Sequence, residues 1–232
     1  MASTTYVPPQ TKRNSDPVGG GDGGFQHGPP SRVSTLPGGV VPSQTGIWVA
    51  VSAISMMFAA LTSAMIVRQG TAADWVHFKM PPVLYFNTVV LLLSSLTFEI
   101  SRRRFGKDFD PGRKEPHSDA RPPAQALRWL YLTMVLGLIF VLGQLIAWRE
   151  LAAQGLFLAT SPSSSFFYVL TGIHGVHLLG GITGLAYVLR LLSRSTGTQQ
   201  KALLGVASVY WHFMDGLWVY LILLMMTRMA VV

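Results

Sequence analysis

Apolar residues gather into five long runs along this chain: Ile47–Val67, Val83–Ile100, Trp129–Trp148, Phe166–Leu189 and Leu203–Thr227. Between them lie shorter segments that hold most of the prolines and charges. A helix needs about 20 apolar residues to cross the hydrocarbon core of a bilayer, and each run approaches or exceeds that length. The alternating ten-residue segments of a membrane β-barrel are missing. The pattern therefore predicts an all-α, polytopic membrane protein, a bundle of five transmembrane helices at about 46–68, 82–104, 125–149, 164–192 and 201–228 within residues 46–232. Punctuation agrees with these bounds. Gly46-Ile-Trp opens the first helix, with Trp48 placed as an interfacial anchor. Pro81-Pro82 precedes the second, where a missing N–H does no harm. Ser161-Pro-Ser-Ser-Ser165 is a turn and N-cap signal before the fourth, and Ser193–Gln200 a turn before the fifth. Phe105–Pro123 reads as a polar loop. Residues 1–45, with Gly19-Gly-Gly-Asp-Gly-Gly24, bury too little apolar surface to order themselves and are expected to form a disordered cytoplasmic tail without a signal peptide.

Composition and charge sharpen this picture. Half of the 232 residues are apolar and only 12% are charged, too few for a soluble chain of this size. The net charge of +8 invites a nucleic-acid reading, but its placement argues for topology instead. Fourteen of the eighteen basic residues flank the spans on one side: Lys12, Arg13 and Arg32, then Arg102 to Arg104, Lys107, Arg113, Lys114, Arg121 and Arg128, then Arg190, Arg194 and Lys201. Only Arg68, Lys79, Arg149 and Arg228 flank the other. The positive-inside rule puts the N-terminus in the cytoplasm and, after five spans, the C-terminus in the periplasm. With no cysteine, the chain has no disulfide, iron–sulfur cluster, thiolate copper centre or catalytic thiol.

Polar groups inside the apolar runs carry the candidate chemistry. His174 and His177 are spaced i, i+3 on one helix face, and His212 and Asp215 repeat that spacing on the last helix. His177 and Asp215 each lie twelve residues from the cytoplasmic ends of their runs, roughly 18 Å deep at 1.5 Å per residue, so the two pairs can meet near the midplane. An interhelical hydrogen-bond network explains them, since an isolated polar group in hydrocarbon costs several kcal/mol. A proton relay, or a metal or haem site, would use the same residues; a di-iron bundle site would need more carboxylates than Asp215 alone. Asn87, Thr88, Ser94, Ser95, Thr97 and Gln144 read as interhelical donors and acceptors, and Gly180/Gly184 as a close-approach pair. Tyr210, Trp211, Trp218 and Tyr220 read as packing residues. Glu99 is placed to pair with Arg102 and Arg103. Arg102, Arg103 and Arg104 are candidate contacts for lipid phosphate.

Two of these segments are specific. Ser-Ser-Phe-Phe-x-x-Leu-Thr-Gly-x-His-Gly-x-His-x-x-Gly-Gly, from Ser164 to Gly181, and Tyr-Trp-His-Phe-x-Asp-x-x-Trp, from Tyr210 to Trp218, resemble the haem–copper oxidase subunit III family. Tyr85-Phe-Asn-Thr-Val-Val-Leu-Leu-Leu-Ser-Ser95 matches it in part, and the resemblance covers about Thr45 to Arg228. Five helices look like the short bacterial form, which lacks the first two helices of the seven-helix version. The resemblance implies a non-catalytic subunit of a respiratory cytochrome c or quinol oxidase in the bacterial cytoplasmic membrane. It implies no catalytic, metal or cofactor residue in this chain, with haem and copper in partner subunits I and II. It further implies phospholipid binding, support of proton uptake, and no nucleic-acid partner. One position departs: where the family usually places a carboxylate in a Ser-Glu-x-Met-Phe-Phe pattern, this chain has Ile54 in Ala53-Ile54-Ser55-Met-Met-Phe58, which puts any role of that carboxylate in doubt. An accessory protein of nitric oxide reductase, and a stand-alone transporter or haem protein, remain the alternatives.

Overall fold

The computed structural model describes residues 42–71, 73–107, 124–192 and 198–230. They form five α-helices: α1 (Pro42–Thr71), α2 (Val83–Lys107), α3 (Ala124–Ala153), α4 (Pro162–Leu192) and α5 (Thr198–Arg228). All five are long and apolar enough to cross a membrane. Most of the expected N-terminal tail, most of the Phe105–Pro123 loop and part of the Ser193–Gln200 turn lie outside the described residues, as do Lys12, Arg13, Arg32, Arg113, Lys114, Arg121 and Arg194. The inside–outside orientation therefore rests on charge placement alone. The helices run a little past the apolar runs that announced them. α1 begins at Pro42 rather than Gly46, because proline suits the first turn, where N–H groups have no helical partner. α3 continues to Ala153 and ends in a Schellman motif: Leu156 N–H donates to Leu151 O (3.2 Å) and Gly155 N–H to Ala152 O (2.9 Å). Gly155 takes the left-handed φ of 80° that this ending requires.

Helices α2, α3, α4 and α5 pack as a ring, each against the next and α5 back against α2, while α1 lies outside on α4 and α5. The reason is visible in each helix's buried face. On α2 it is Leu84, Asn87, Leu91, Ser94, Phe98, Ser101 and Phe105, a helical period that turns toward α3 and α5. On α3 the same stripe carries Ala126, Gly137, Gly143 and Ala147, small residues that let neighbours come close. Across the ring the Trp211 indole of α5 reaches the surface of Gly137. Outward faces keep their large apolar side chains, among them Phe86, Val89, Leu93, Leu138, Leu142 and Val176, exposed as lipid-facing residues are.

The helix ends are closed by local bonds. Ser161 and Ser164 form a reciprocal cap on α4, Ser164 N–H donating to Ser161 Oγ (3.3 Å) and Ser161 N–H to Ser164 Oγ (3.2 Å), as the serine run predicted. At the end of α5, Gln69 Nε2 and Trp75 Nε1 both donate to Arg228 O at 3.2 Å, and Phe78 N–H donates to Met229 O at 3.1 Å. The last turn of α1 and the α1–α2 connection thus satisfy carbonyls that no helical partner reaches.

The glycines separate into two kinds, and not as the small-residue spacing suggested. Gly180 and Gly184 are exposed, and a β-carbon on Gly184 would meet nothing within 4 Å. Close approach falls instead to Gly181, where a β-carbon would lie 2.9 Å from Tyr210 Cε1, and to Gly143, where it would lie 2.0 Å from Asn87 Oδ1 and 2.8 Å from Asn87 Cγ. Gly143→Ala should lower stability by about 1–3 kcal/mol through overpacking, whereas Gly184→Ala should stay within about 0.5 kcal/mol of the parent. Thermal unfolding of the two variants in one detergent checks this; equal stabilities would disprove the close α2–α3 contact.

Candidate functional site: the polar interior of the bundle

The polar residues of α2 face α5 in antiparallel register. Thr88 Oγ1 accepts from Trp218 Nε1 (3.1 Å), Ser94 Oγ accepts from Trp211 Nε1 (3.0 Å), and Ser95 Oγ shares a 2.6 Å hydrogen bond with His212 Nδ1. Toward α3, Thr97 and Thr133 share a hydroxyl bond of 2.9 Å, and Ser94 and Ser101 donate to Thr133 O (3.4 Å) and Ala126 O (2.8 Å). Trp148 Nε1 donates to Thr171 Oγ1 (3.0 Å) between α3 and α4. Tyr220 Oη donates to Thr62 Oγ1 (3.1 Å) between α5 and α1. The α2 row thus works as its composition predicted, except at Asn87. Asn87 on α2 and Gln144 on α3 are buried, and among the described residues neither side chain has a hydrogen-bond partner. Thr62, Thr133 and Thr171 join the network too, and a threonine on the apolar stripe of its helix is the sequence signal for each.

The two histidine pairs are placed differently from the network they suggested. His174 is fully buried, with its ring edge-on to Phe140 (centroids 5.9 Å) and tilted against Trp218 (5.2 Å), and neither of its nitrogens has a partner among the described residues. His177 turns toward α1: its Nδ1 bonds to Ile173 O one turn back (2.8 Å), and its ring packs edge-on against Phe58 at 6.2 Å. Its carbonyl accepts from Tyr210 Oη at 2.9 Å. His212 belongs to the α2 row through Ser95, and its Nε2 lies 3.9 Å from Glu99 Oε2. Asp215 is buried with both oxygens unpaired among the described residues. Helices α4 and α5 pack together, yet no hydrogen bond joins the His174 or His177 side chain to Asp215; His174 packs instead against Phe140 and Trp218. Among the described residues no group of three or more His, Asp or Glu side chains converges as a metal site would.

At the basic end of α2, Glu99 takes three bonds from its neighbours: Arg102 Nε (2.8 Å), Arg102 Nη2 (2.9 Å) and Arg103 Nε (2.8 Å). This is the pairing that the i+3 and i+4 spacing predicted. Arg104 turns to Gln125 and lies over the Trp129 ring, 5.7 Å from its centroid. Ile54 sits on the packed face of α1, one turn before the Phe58 that meets His177.

A five-helix membrane protein whose interior polar groups chiefly tie helices together is the class that this geometry defines. Comparison with known proteins narrows it. The family model for cytochrome c oxidase subunit III matches residues 116–228, which take in all of α3, α4 and α5. The probable cytochrome c oxidase subunit 3 of Mycobacterium tuberculosis is 39% identical over 95 residues, 40% of this chain and 47% of that relative; the match spans about half the length of the mycobacterial proteins. Cytochrome c oxidase subunit 3 of Thermostichus vulcanus is 28% identical over 78% of this chain and 84% of its own length. Cytochrome bo(3) ubiquinol oxidase subunit 3 of Pseudomonas aeruginosa is 27% identical over 75% and 79%. The chain is thus similar to the haem–copper oxidase subunit III family, in its last three helices through the family model and over most of its length through these two relatives.

His177 and Asp215 share no partner, so the energies of His177→Ala and Asp215→Asn should add to within about 0.5 kcal/mol. Thermal unfolding of the two single variants and the double variant measures this. A clear coupling energy would mean that the two groups touch.

Proposed function

We propose that this chain is the non-catalytic subunit III of a bacterial respiratory haem–copper terminal oxidase, in the cytoplasmic membrane with its N-terminus inside. It packs on the catalytic subunit and steadies it, holds phospholipid, and assists proton uptake during oxygen reduction. Haem and copper belong to partner subunits I and II, and the electron donor, cytochrome c or quinol, is a property of those partners. One observation carries the reading: the two specific histidine segments lie within the part of the chain that matches the family model, and their side chains are engaged in helix packing. His174 fills a cage of Phe140 and Trp218, His177 caps its own helix turn, and His212 joins α5 to α2. These are the contacts of a scaffold. The proposed proton role does not pass through the position of the family carboxylate, because Ile54 carries no proton.

Purifying the chain from native membranes in mild detergent tests the assembly. A haem–copper catalytic subunit should accompany it. A nitric oxide reductase core in its place, or a solitary chain, would contradict the proposal.

The lipid role is assigned to the α2 end. Arg102 and Arg103 are bound to Glu99 yet stay exposed, with 50% and 75% of their side-chain surfaces open, so their remaining N–H donors are free to meet phosphate oxygens. Replacing Arg102, Arg103 and Arg104 together with Gln should reduce co-purified anionic phospholipid and shorten the working life of the oxidase. The haem spectrum and initial turnover should stay unchanged. A changed spectrum would mean that this subunit helps build the active site, contrary to the proposal.

A further inference from the structure

Asp215 is a puzzle for a purely structural interior. It is the one carboxylate in the middle of the described spans, it is 4% exposed, and both its oxygens lack a partner among the described residues. A buried carboxyl left unbonded weakens a fold rather than supporting it. Intramembrane carboxyls that persist on such terms mark paths for ions or protons.

The groups leading away from it are in series. Asp215 lies three positions along α5 from His212, on the same helix face as the ring that Ser95 binds. The Ser95 hydroxyl is bonded to His212 Nδ1 at 2.6 Å. The other ring nitrogen of His212 lies 3.9 Å from Glu99 Oε2. Glu99 stands beside Arg102 and Arg103 at the basic end of α2. Both helices run the right way: Glu99 to Ser95 on α2 and His212 to Asp215 on α5 each lead inward from that end. Phe98 packs edge-on against the His212 ring (6.2 Å), which fixes its plane. His212 is half-buried, with Nε2 turned toward Glu99 and Nδ1 bonded to Ser95.

We propose that Ser95 and His212 form a proton relay between the basic membrane surface and Asp215. The step balances as follows. His212 Nε2 takes a proton that enters from water at the basic end beside Glu99, and the Glu99 carboxylate stabilises the resulting imidazolium. Nδ1–H then passes its proton to Ser95 Oγ as the Ser95 hydroxyl proton moves to the Asp215 carboxylate. His212 is left neutral with its hydrogen on Nε2, and one proton has crossed from solvent to Asp215. Glu99 is a positioning residue; the charged groups that face the ring are Glu99 and Arg102 on α2, and Asp215 lies three positions along α5. The relay deepens the proton-uptake part of the proposed function and depends on it only for where the proton goes next.

The test is read on the full chain in lipid nanodiscs, whatever it assembles with. At a pH low enough to protonate Asp215, the carboxyl infrared band lost in Asp215→Asn is followed after a rapid switch from H2O to D2O. The shift of that band should slow on the order of a hundredfold in Ser95→Ala and in His212→Phe, the low end of what a positioned proton-transfer group contributes. Ser95→Thr, which keeps the hydroxyl, should exchange at the parent rate, and Glu99→Gln should fall between. A native rate in both Ser95→Ala and His212→Phe, or a rate in the parent already as slow as theirs, would overturn the proposal. Should one substitution unfold the chain, the other decides with the same readout. A failure to co-purify an oxidase leaves this measurement intact, so the relay and the subunit assignment can fail separately.

Discussion

Inside hydrocarbon there is no water to bind a polar group that the protein leaves unbound, and the bundle is organised around that constraint. Its backbone satisfies itself in five helices. Its side chains then face the same demand, and α2 meets it for its neighbours. Thr88, Ser94 and Ser95 accept or share hydrogen bonds with Trp218, Trp211 and His212, so that the register of α2 against α5 is set by three bonds spread over almost two turns. Thr97, Ser94 and Ser101 do the same toward α3. Without a hydrophobic drive between helices in lipid, packing and such bonds are what distinguish one arrangement from its neighbours. The tryptophans serve both ends: their rings fill the core and their N–H groups find hydroxyls.

Close packing follows from the same register. Once Trp211 is bonded to Ser94, its ring extends across the bundle to Gly137, where a β-carbon would lie a tight 3.1 Å from Trp211 Cη2. Gly143 gives the corresponding space to Asn87, and Gly181 to Tyr210. Trp218, held by Thr88, closes with Phe140 over His174, the two rings meeting edge to face at 4.8 Å. The histidine motif of α4 is therefore read by its neighbours mainly as shape. Asp215 stands apart, since nothing in the packing requires its charge.

Much of this was legible in the chain. Five apolar runs of bilayer length gave five helices, and the serine run before α4 gave its cap, because length and local hydrogen bonding are properties of contiguous residues. Glu99 with Arg102 and Arg103 was legible for the same reason. The mutual placement of His177 and Asp215 was not. Equal depth allowed them to meet, but the rotation of each helix about its axis decides which groups face, and that depends on where bulky rings fit. His177 faces Phe58 on α1, a partner 119 positions away in sequence, and spacing on α4 alone contains no trace of it. The Gly180/Gly184 spacing misled for a related reason: several glycines share α4, and only contact with Tyr210 selects Gly181.

The claim that hydrogen bonds between α2 and α5 set the register of the bundle is tested most directly by a double-mutant cycle on one of them. Thr88→Val removes one partner at nearly constant shape, Trp218→Phe removes the other along with part of a buried ring, and the double variant removes both, so that the cycle cancels the cost of the smaller ring. Unfolding measured in the same detergent for all four proteins should give a coupling of about 0.5–1.5 kcal/mol, the range of polar contacts between membrane helices. Strictly additive losses would contradict the account, because the indole and the hydroxyl would then stabilise the bundle independently of one another.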